Sequence, residues 1–217
     1  MLKRESLRDQ IREEIRTRII NGELTESTGI SEIELAKQLG VSRTPLREAL
    51  ITLEQEGFLE ASPGKGFSVL PMNKSEYLNL VPIIGALEKL TLLACPKLSK
   101  EEAAELRDIN AELLATDQLR DHKERITTRL RTDLLWHEVL LERSTNDKAL
   151  QLLRQLKAQW RRYEYIFWEY TDTTERSVRE HEEIVKALLA GKSEKAGELI
   201  DKQWRLCLVD RIGERVP

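Results

Sequence analysis

The chain has 217 residues, of which 40% are hydrophobic and 34% charged, so it can bury one large hydrophobic core or two modest ones. Its formal net charge of -3 excludes a bulk electrostatic attraction to nucleic acid or to an anionic membrane, so any site for a polyanion must be local. No apolar run approaches the roughly 20 residues of a membrane span, and the charged start lacks a signal-peptide core, which predicts a cytoplasmic protein. Cys95 and Cys207 lie far apart and outside any CxxC pair, which argues against a thiolate zinc site and predicts two buried thiols.

The first third of the chain has the pattern of three helices. Apolar residues at every fourth position predict a helix over 6–20. A second helix over 31–39 begins with a serine followed three residues later by a glutamate, which is the capping-box pattern. Gly40 supplies a permissive turn before a third helix, over 42–57, that carries a stripe of leucines. The second and third helices therefore predict a helix-turn-helix.

A short hairpin is predicted to follow the third helix. Two strand-like pieces, over 58–61 and 67–70, are joined by a Pro-Gly-Lys-Gly turn. A hairpin in this place is the wing of a winged helix-turn-helix. Residues 1–74 are thus predicted to form a DNA-binding domain of that type.

The third helix has its charges in an unusual order. A helix carries partial positive charge at its N-terminus, which disfavours cations there, yet Arg43 and Arg47 stand at the front and the acids at the back. In a helix-turn-helix this end of the helix approaches base edges, while a DNA phosphate is stabilised by the same partial charge. Either arginine could make the bidentate guanine contact that carries about 1–3 kcal/mol of discrimination; the alternative is a solvated pair.

Neighbouring residues have two interpretations each. The hydroxyls of Ser42 and Thr44 suit phosphate contacts, although Ser42 could serve only as an N-cap. Pro45 offers an apolar surface to a thymine methyl, or it simply initiates the helix. Gly64 allows the wing backbone close to DNA, with Lys65 on a phosphate, whereas any tight hairpin favours glycine.

The stretch from Ile30 to Val69 resembles the DNA-binding domain of the GntR family of bacterial transcription regulators, whose pattern runs LA, LGVSRTPVREAL, L, EGL and a GxG wing. One departure is Ile33, which stands where some members carry a DNA-contacting arginine, so that contact is expected to be missing. The resemblance implies operator contacts by Ser42, Arg43, Thr44, Pro45, Arg47 and Gly64.

The rest of the chain, 75–217, has helical spacing throughout. A chain of this kind predicts a mainly α fold, with the winged domain followed by an all-helical bundle of six to seven helices. The six predicted helices cover 75–94, 99–115, 121–143, 147–170, 173–190 and 193–212.

One group of side chains in the bundle could carry chemistry. Asp133 and His137 are four residues apart on one helix face, and His181 lies on another apolar-faced helix. Two imidazoles and a carboxylate suit a divalent transition metal. A hydrogen-bonded carboxylate and histidine is the commoner reason for such a pair, and both interpretations stay open.

The bundle resembles the all-helical FCD effector-binding domain of the FadR subfamily. The segments "DLLWHEVLLERSTN" and "EHEEIVKALLAGKSEKA" match its D-x-x-F-H-x-x-L and H-x-x-I-x-x-A-I-x-x-G-D patterns. The resemblance implies a divalent metal, zinc, nickel or similar, held by one aspartate and three histidines. The last histidine falls on Gln203, which leaves Asp133, His137 and His181. Ile84 stands where the family places an effector-binding arginine, and Arg129 is a possible substitute.

Aromatic residues cluster in "QWRRYEYIFWEY". Trp160, Tyr163, Phe167 and Tyr170 fall three or four residues apart, which first predicts a core or interface stripe. Some of them could also line an effector cavity.

The sequence as a whole predicts a transcription regulator that binds a palindromic operator as a homodimer and whose operator affinity is controlled by a small-molecule effector. It is not predicted to be an enzyme, because no base or nucleophile motif accompanies the two-histidine, one-carboxylate set. The alternatives are a metal-dependent enzyme that uses that set and a bundle that only dimerises.

Overall fold

The computed structural model describes residues 6–25, 29–62, 64, 66–170 and 174–209, without the side chains of 165–167, 169, 170 and 207–209. The predictions for Lys65, Cys207, Phe167 and Tyr170 therefore lie outside the described part. The chain forms two compact units, Met1–Met72 and Asn73–Pro217.

The described residues of the first unit form three helices and one hairpin. Strands β1 and β2 pair antiparallel, from Leu59 opposite Val69 to Ser62 opposite Gly66. The elements in chain order are α1 (Leu7–Ile20), α2 (Glu32–Leu39), α3 (Arg43–Gln55), β1 (Leu59–Ser62) and β2 (Gly66–Val69).

The core of this unit lies mainly between α1 and α3. The isoleucines of the four-residue repeat in α1 face the leucines of α3, and each leucine buried there contributes roughly 1.5–3 kcal/mol. Gly40 ends α2 with a φ of 65°, a left-handed conformation that glycine adopts without strain. This packing fixes one face of α3 in the core and turns the other outward. The buried side chains are Ile11, Ile15, Ile19, Leu46, Ala49, Leu50 and Leu53.

The wing gains a third extended segment that the sequence did not predict. Ile30 forms an isolated antiparallel bridge with Phe67, and both side chains are buried. Both strands are displaced from their predicted positions by about a residue, and Gly64 and Gly66 both have positive φ at the turn.

In the second unit, the residues that the structure describes form the predicted six-helix bundle. Helix α4 lies at its centre, packed against α9, α7 and α6, while α8 packs on α9 and α5. None of the described helices is long and apolar enough to span a membrane. The helices are α4 (Lys74–Leu93), α5 (Lys100–Ala115), α6 (His122–Leu141), α7 (Asp147–Tyr170), α8 (Thr174–Leu189) and α9 (Ser193–Val209).

Two glycines bring α4 and α9 close together. A Cβ added at Gly85 would lie 2.9 Å from the Cβ of Trp204, and one at Gly197 would lie 2.9 Å from the Cγ of Lys89. Side chains at these positions would separate the helices. The close approach places Trp204 beside Glu88, in the interior of the bundle.

Candidate functional sites: a recognition helix and a buried polar cluster

The outward face of α3 carries the residues that the sequence assigned to DNA. Arg43, Thr44 and Arg47 are exposed, whereas Leu46 and Leu50 on the opposite face are fully buried. The front of the helix therefore presents two guanidinium groups and a hydroxyl to solvent. Such groups can contact base edges and phosphate oxygens.

Ser42 is the N-cap residue of α3, but its side chain accepts no capping hydrogen bond among the described residues. The capping interpretation of this serine has no support in the geometry. Its exposed hydroxyl is available to a ligand at the helix N-terminus. Pro45, in the first turn, is partly exposed beside it.

The two arginines differ in their surroundings. Arg47 Nη1 lies 3.0 Å from Glu32 Oε1 at the start of α2, and the arginine side chain is still 60% exposed. Arg43 forms no ion pair with any residue that the structure describes. The pair of Arg47 and Glu32 is only partly at the surface, since the Glu32 side chain is 12% exposed.

The wing turn is positioned by glycine. Gly64 is exposed with a φ of 77°, and no atom comes within 4 Å of a Cβ added there, so only its backbone conformation requires glycine. Ile33 on α2 is 68% exposed, which leaves an apolar side chain where family members place an arginine.

In the second unit, Asp133, His137 and His181 come together. One ligand atom from each lies within 4.8 Å of the other two. The Nε2 atoms of the two histidines face Asp133, at 3.9 Å for His137 and 3.8 Å for His181. Among the described residues, His181 Nε2 has no hydrogen-bond partner although it is buried. A buried ring nitrogen in that state fits a metal ligand.

Two residues that the sequence did not indicate lie beside the Nδ1 atoms of the histidines. His181 Nδ1 lies 2.8 Å from Asn110 Oδ1 on α5, and His137 Nδ1 lies 3.1 Å from Glu88 Oε2 on α4. Each imidazole thus turns Nδ1 to a polar oxygen and Nε2 toward Asp133, as metal-binding histidines commonly do.

The electrostatics of the cluster also suit a cation. Burial lowers the pKa of His181 far below its usual value, so this imidazole is neutral and keeps a lone pair. Burial also disfavours the charged form of Asp133, and for a carboxyl group this raises the pKa. A divalent ion between these groups would favour ionised Asp133 and thereby offset the cost of its burial.

Glu88 lies next to His137 and interacts with two further polar side chains. It is completely buried, accepts a hydrogen bond of 2.6 Å from Trp204 Nε1, and forms an ion pair with Lys157. Burial opposes its ionisation, but His137 and Lys157 outweigh this and lower the pKa of Glu88 to about 2. Residue spacing could not predict the role of Glu88, in the segment "GALEKL", because its partners come from three other helices.

A cavity of about 50 Å³ opens beside Asp133 and His137. Gln203 also lines it, on the α9 turn where the resemblance placed a fourth ligand. The other lining groups relevant to a ligand are Lys157, Trp160, Glu164, Trp168, Arg176, Glu180 and Trp204.

Arg129 does not line this cavity. Only 6% of it is exposed, its Nε donates to Thr116 Oγ1 at 3.2 Å, and it forms an ion pair with Asp117. Its guanidinium therefore joins α6 to the short 3-10 turn Thr116–Gln118. The sequence could not indicate this burial, because the partner acid lies on an unpredicted turn.

The aromatic residues of α7 pack in the core of the bundle, and one of them also lines the cavity. Tyr163 and Trp160 are buried against Tyr77, with ring centroids 5.7 and 5.5 Å away, as a core stripe requires. Trp160 also faces the cavity. Cys95, predicted as a buried thiol, is only partly buried, because it follows the end of α4.

Comparison with known proteins agrees with both units. Residues 7–69 match the model of the "Bacterial regulatory proteins, gntR family", and residues 80–204 match that of the FCD domain. The chain is similar to the Nta operon transcriptional regulator of Aminobacter aminovorans, 33% identical over 168 residues that cover 76% of this chain and 75% of that protein. It is also similar to McbR, an HTH-type transcriptional regulator of Escherichia coli, 26% identical over 99% of this chain and 93% of that protein.

Solved structures show the same fold. E. coli McbR/YncC has a TM-score of 0.77 at 22% identity and covers 95% of this chain and 97% of its own. A GntR transcriptional regulator from Rhodococcus sp. RHA1 has a TM-score of 0.70 at 20% identity, with 94% and 99% covered. The chain belongs to the GntR family of bacterial transcriptional regulators, and it joins the family's helix-turn-helix domain to an FCD domain.

Proposed function

We propose that this protein is a ligand-responsive regulator that binds operator DNA through the front of α3 and the wing, and that its helical domain senses a small effector. The observation that carries the proposal is the exposure of Arg43, Thr44 and Arg47 on the face of α3 opposite the core. The FCD domain fits the FadR subfamily of such regulators. A regulator of this kind acts on DNA in the cytoplasm.

At the DNA surface, the residues divide into two roles. Arg43 and Arg47 read guanine edges in the major groove, and Arg47 leaves Glu32 to do so. The Ser42 and Thr44 hydroxyls, the backbone of Gly64 and the Lys65 ammonium hold phosphates, and Pro45 contacts a sugar or thymine methyl. The charge of the whole chain does not attract DNA, so this local surface supplies the affinity.

The active form is a homodimer. One recognition helix makes too few base contacts for tight specific binding, whereas two helices related by a twofold axis read the two halves of a palindrome. Helical-domain contacts between two copies of the chain would set the spacing of the half-sites.

A divalent metal such as zinc or nickel is part of the sensing site. Asp133, His137 and His181 would hold it, with Gln203 nearby in place of a fourth histidine. The support is the convergence of two Nε2 atoms on one carboxylate and the buried, unpartnered Nε2 of His181. The bound ion would supply a positive charge to which an effector oxygen can coordinate.

The effector would occupy the cavity next to Asp133 and His137. Binding there changes the relative stability of two arrangements of the dimer and so changes operator affinity. By linkage, operator DNA must change effector affinity by the same factor. Regulation rather than catalysis is proposed because both domains match those of transcriptional regulators.

Selection of bound fragments from genomic DNA tests the first half of this proposal. Full-length protein is expected to enrich one short palindrome. The substrates and products of enzymes encoded near that palindrome are then tested for their effect on DNA binding and on the thermal stability of the protein. Enrichment of no sequence over random DNA would contradict the regulator. Enrichment that no ligand or metal changes would contradict the sensing role alone.

A further inference from the structure

Glu164 on α7 is a buried carboxyl group that lines the cavity. Only 8% of it is exposed, it lines the cavity, and it forms neither a hydrogen bond nor an ion pair with any residue in the described part of the chain. A buried carboxylate is costly unless another group compensates it. The protein keeps this acid where a ligand could supply the compensation.

Two tryptophans flank Glu164 on the same helix face. Trp160 lies four residues before it and Trp168 four residues after it, so the three side chains form one stripe along α7. Both indole rings are buried and line the cavity. The faces of tryptophan rings attract cations, especially where water is excluded.

The cations of the cavity are committed elsewhere. Lys157 forms an ion pair with Glu88, and Arg176 lies with its Nε 3.8 Å from Glu180. Burial, and next the negative charge of Asp133, raise the pKa of Glu164 to about 8. Lys157 and Arg161 act in the opposite direction, but burial and Asp133 outweigh them. The Arg129 guanidinium also lies 6.0 Å from the centroid of the Trp168 ring.

The metal ion is not the partner that this geometry favours. The ligand atoms of Asp133, His137 and His181 lie within 4.8 Å of one another, and no Glu164 oxygen belongs to that set. Glu164 thus faces the space beside the metal position. A group of the effector itself fits there better than the ion.

We propose that the effector carries a protonated amine, which lies against the Glu164 carboxylate between the rings of Trp160 and Trp168. This inference rests on the proposed effector role of the cavity and names the chemical class of the effector. The cavity of about 50 Å³ limits the amine to a small one or requires the pocket to widen. Charge pairing and the two ring faces together would select an ammonium over a neutral group of the same shape.

Titration of the full-length protein with n-propylammonium chloride tests the inference, with tryptophan fluorescence as the readout because two tryptophans line the site. We expect a saturable response that 1-propanol, which is neutral and of the same shape, does not give. In Glu164→Gln the apparent affinity should fall about tenfold or more, as expected for loss of a charged hydrogen bond. Glu138→Gln is the matched control, since Glu138 lies on α6, is 51% exposed and does not line the cavity.

Trp168→Leu is a second variant, which keeps the carboxyl group of Glu164. It should lower the affinity for n-propylammonium several-fold. It also carries the test if Glu164→Gln does not fold. Equal amine affinity in both variants and the wild type overturns the inference, as does a response to propionate with none to n-propylammonium. If the protein still selects its operator, either result contradicts the proposed amine effector but not the proposed regulatory function. If the protein selects no operator, the proposed regulatory function is itself contradicted.

Discussion

His181 and Asn110 form a hydrogen bond of 2.8 Å between Nδ1 and Oδ1 in the interior of the helical domain. Because the amide oxygen accepts, Nδ1 carries the proton, and the lone pair of Nε2 points to the Asp133 side. Trp136 stacks on the same imidazole, with ring centroids 3.6 Å apart, and prevents it from turning. The ring is therefore oriented before any ion arrives.

Asn110→Ala should weaken the binding of zinc or nickel by about 10–100-fold, because the imidazole loses the group that fixes its tautomer. Competition with a chromophoric chelator measures this affinity. Asn79→Ala on the exposed face of α4 is the control and should bind metal as the wild type does. Unchanged metal affinity in Asn110→Ala would show that the hydrogen bond has only a packing role.

Glu88→Gln should reduce the free energy of unfolding by about 3–5 kcal/mol, since Lys157, whose side chain is only 12% exposed, is then left without its counterion. Urea denaturation measures the loss. Adding Lys157→Met should recover part of it, and Glu142→Gln, at a side chain 68% exposed, should change stability by less than about 0.5 kcal/mol. If the double variant is no more stable than Glu88→Gln, the ion pair does not explain the effect.

The two buried glutamates should give opposite pH dependences in metal-free protein. The pKa of Glu88 is lowered to about 2. Ionised Glu88 therefore contributes fully to the free energy of unfolding above its usual pKa of 4.5, and this contribution is lost as the pH falls toward 2. The pKa of Glu164 is raised to about 8, so its protonated form stabilises the fold at low pH, and that stability declines as the pH rises from 4.5 through 8.

The difference in stability between wild type and Glu164→Gln isolates the second effect. It should decline by several kcal/mol over that range, since each unit of pKa shift corresponds to about 1.4 kcal/mol. Denaturation across a pH series measures it. A difference independent of pH would contradict the buried, unpartnered state of Glu164.

Lys65→Ala should weaken binding to all DNA sequences alike and reduce the salt dependence of binding by about one ion, as expected for one lost phosphate contact. Titrations of random and selected DNA at several salt concentrations measure this. A loss confined to the selected sequence would assign Lys65 to base recognition instead.

The helices were predictable because their evidence is local. Apolar spacing of three and four and caps such as Ser99, which forms a complete capping box, lie within each segment. The pair of Asp133 and His137 is visible for the same reason, since both residues lie on one helix. His181 lies on another helix, so its grouping with them rested on residue type and apolar spacing and was then supported by its match to a family pattern.

The remaining site residues could not be found in this way. Asn110, Glu88 and Lys157 lie on three separate helices, and no spacing connects them. Their contacts depend on how α4, α5 and α7 pack. A polar residue at an inward-facing position is the available signal, but it does not identify its partner.

The central claim is that Arg43 and Arg47 read base edges, and a competition between selected operator and random DNA tests it most directly. Arg43→Ala and Arg47→Ala should each lower operator affinity by about 1–3 kcal/mol and relax sequence preference at one position, while random DNA is affected much less. Equal loss on operator and random DNA in both variants would contradict the account, because the arginines would then contact only phosphates.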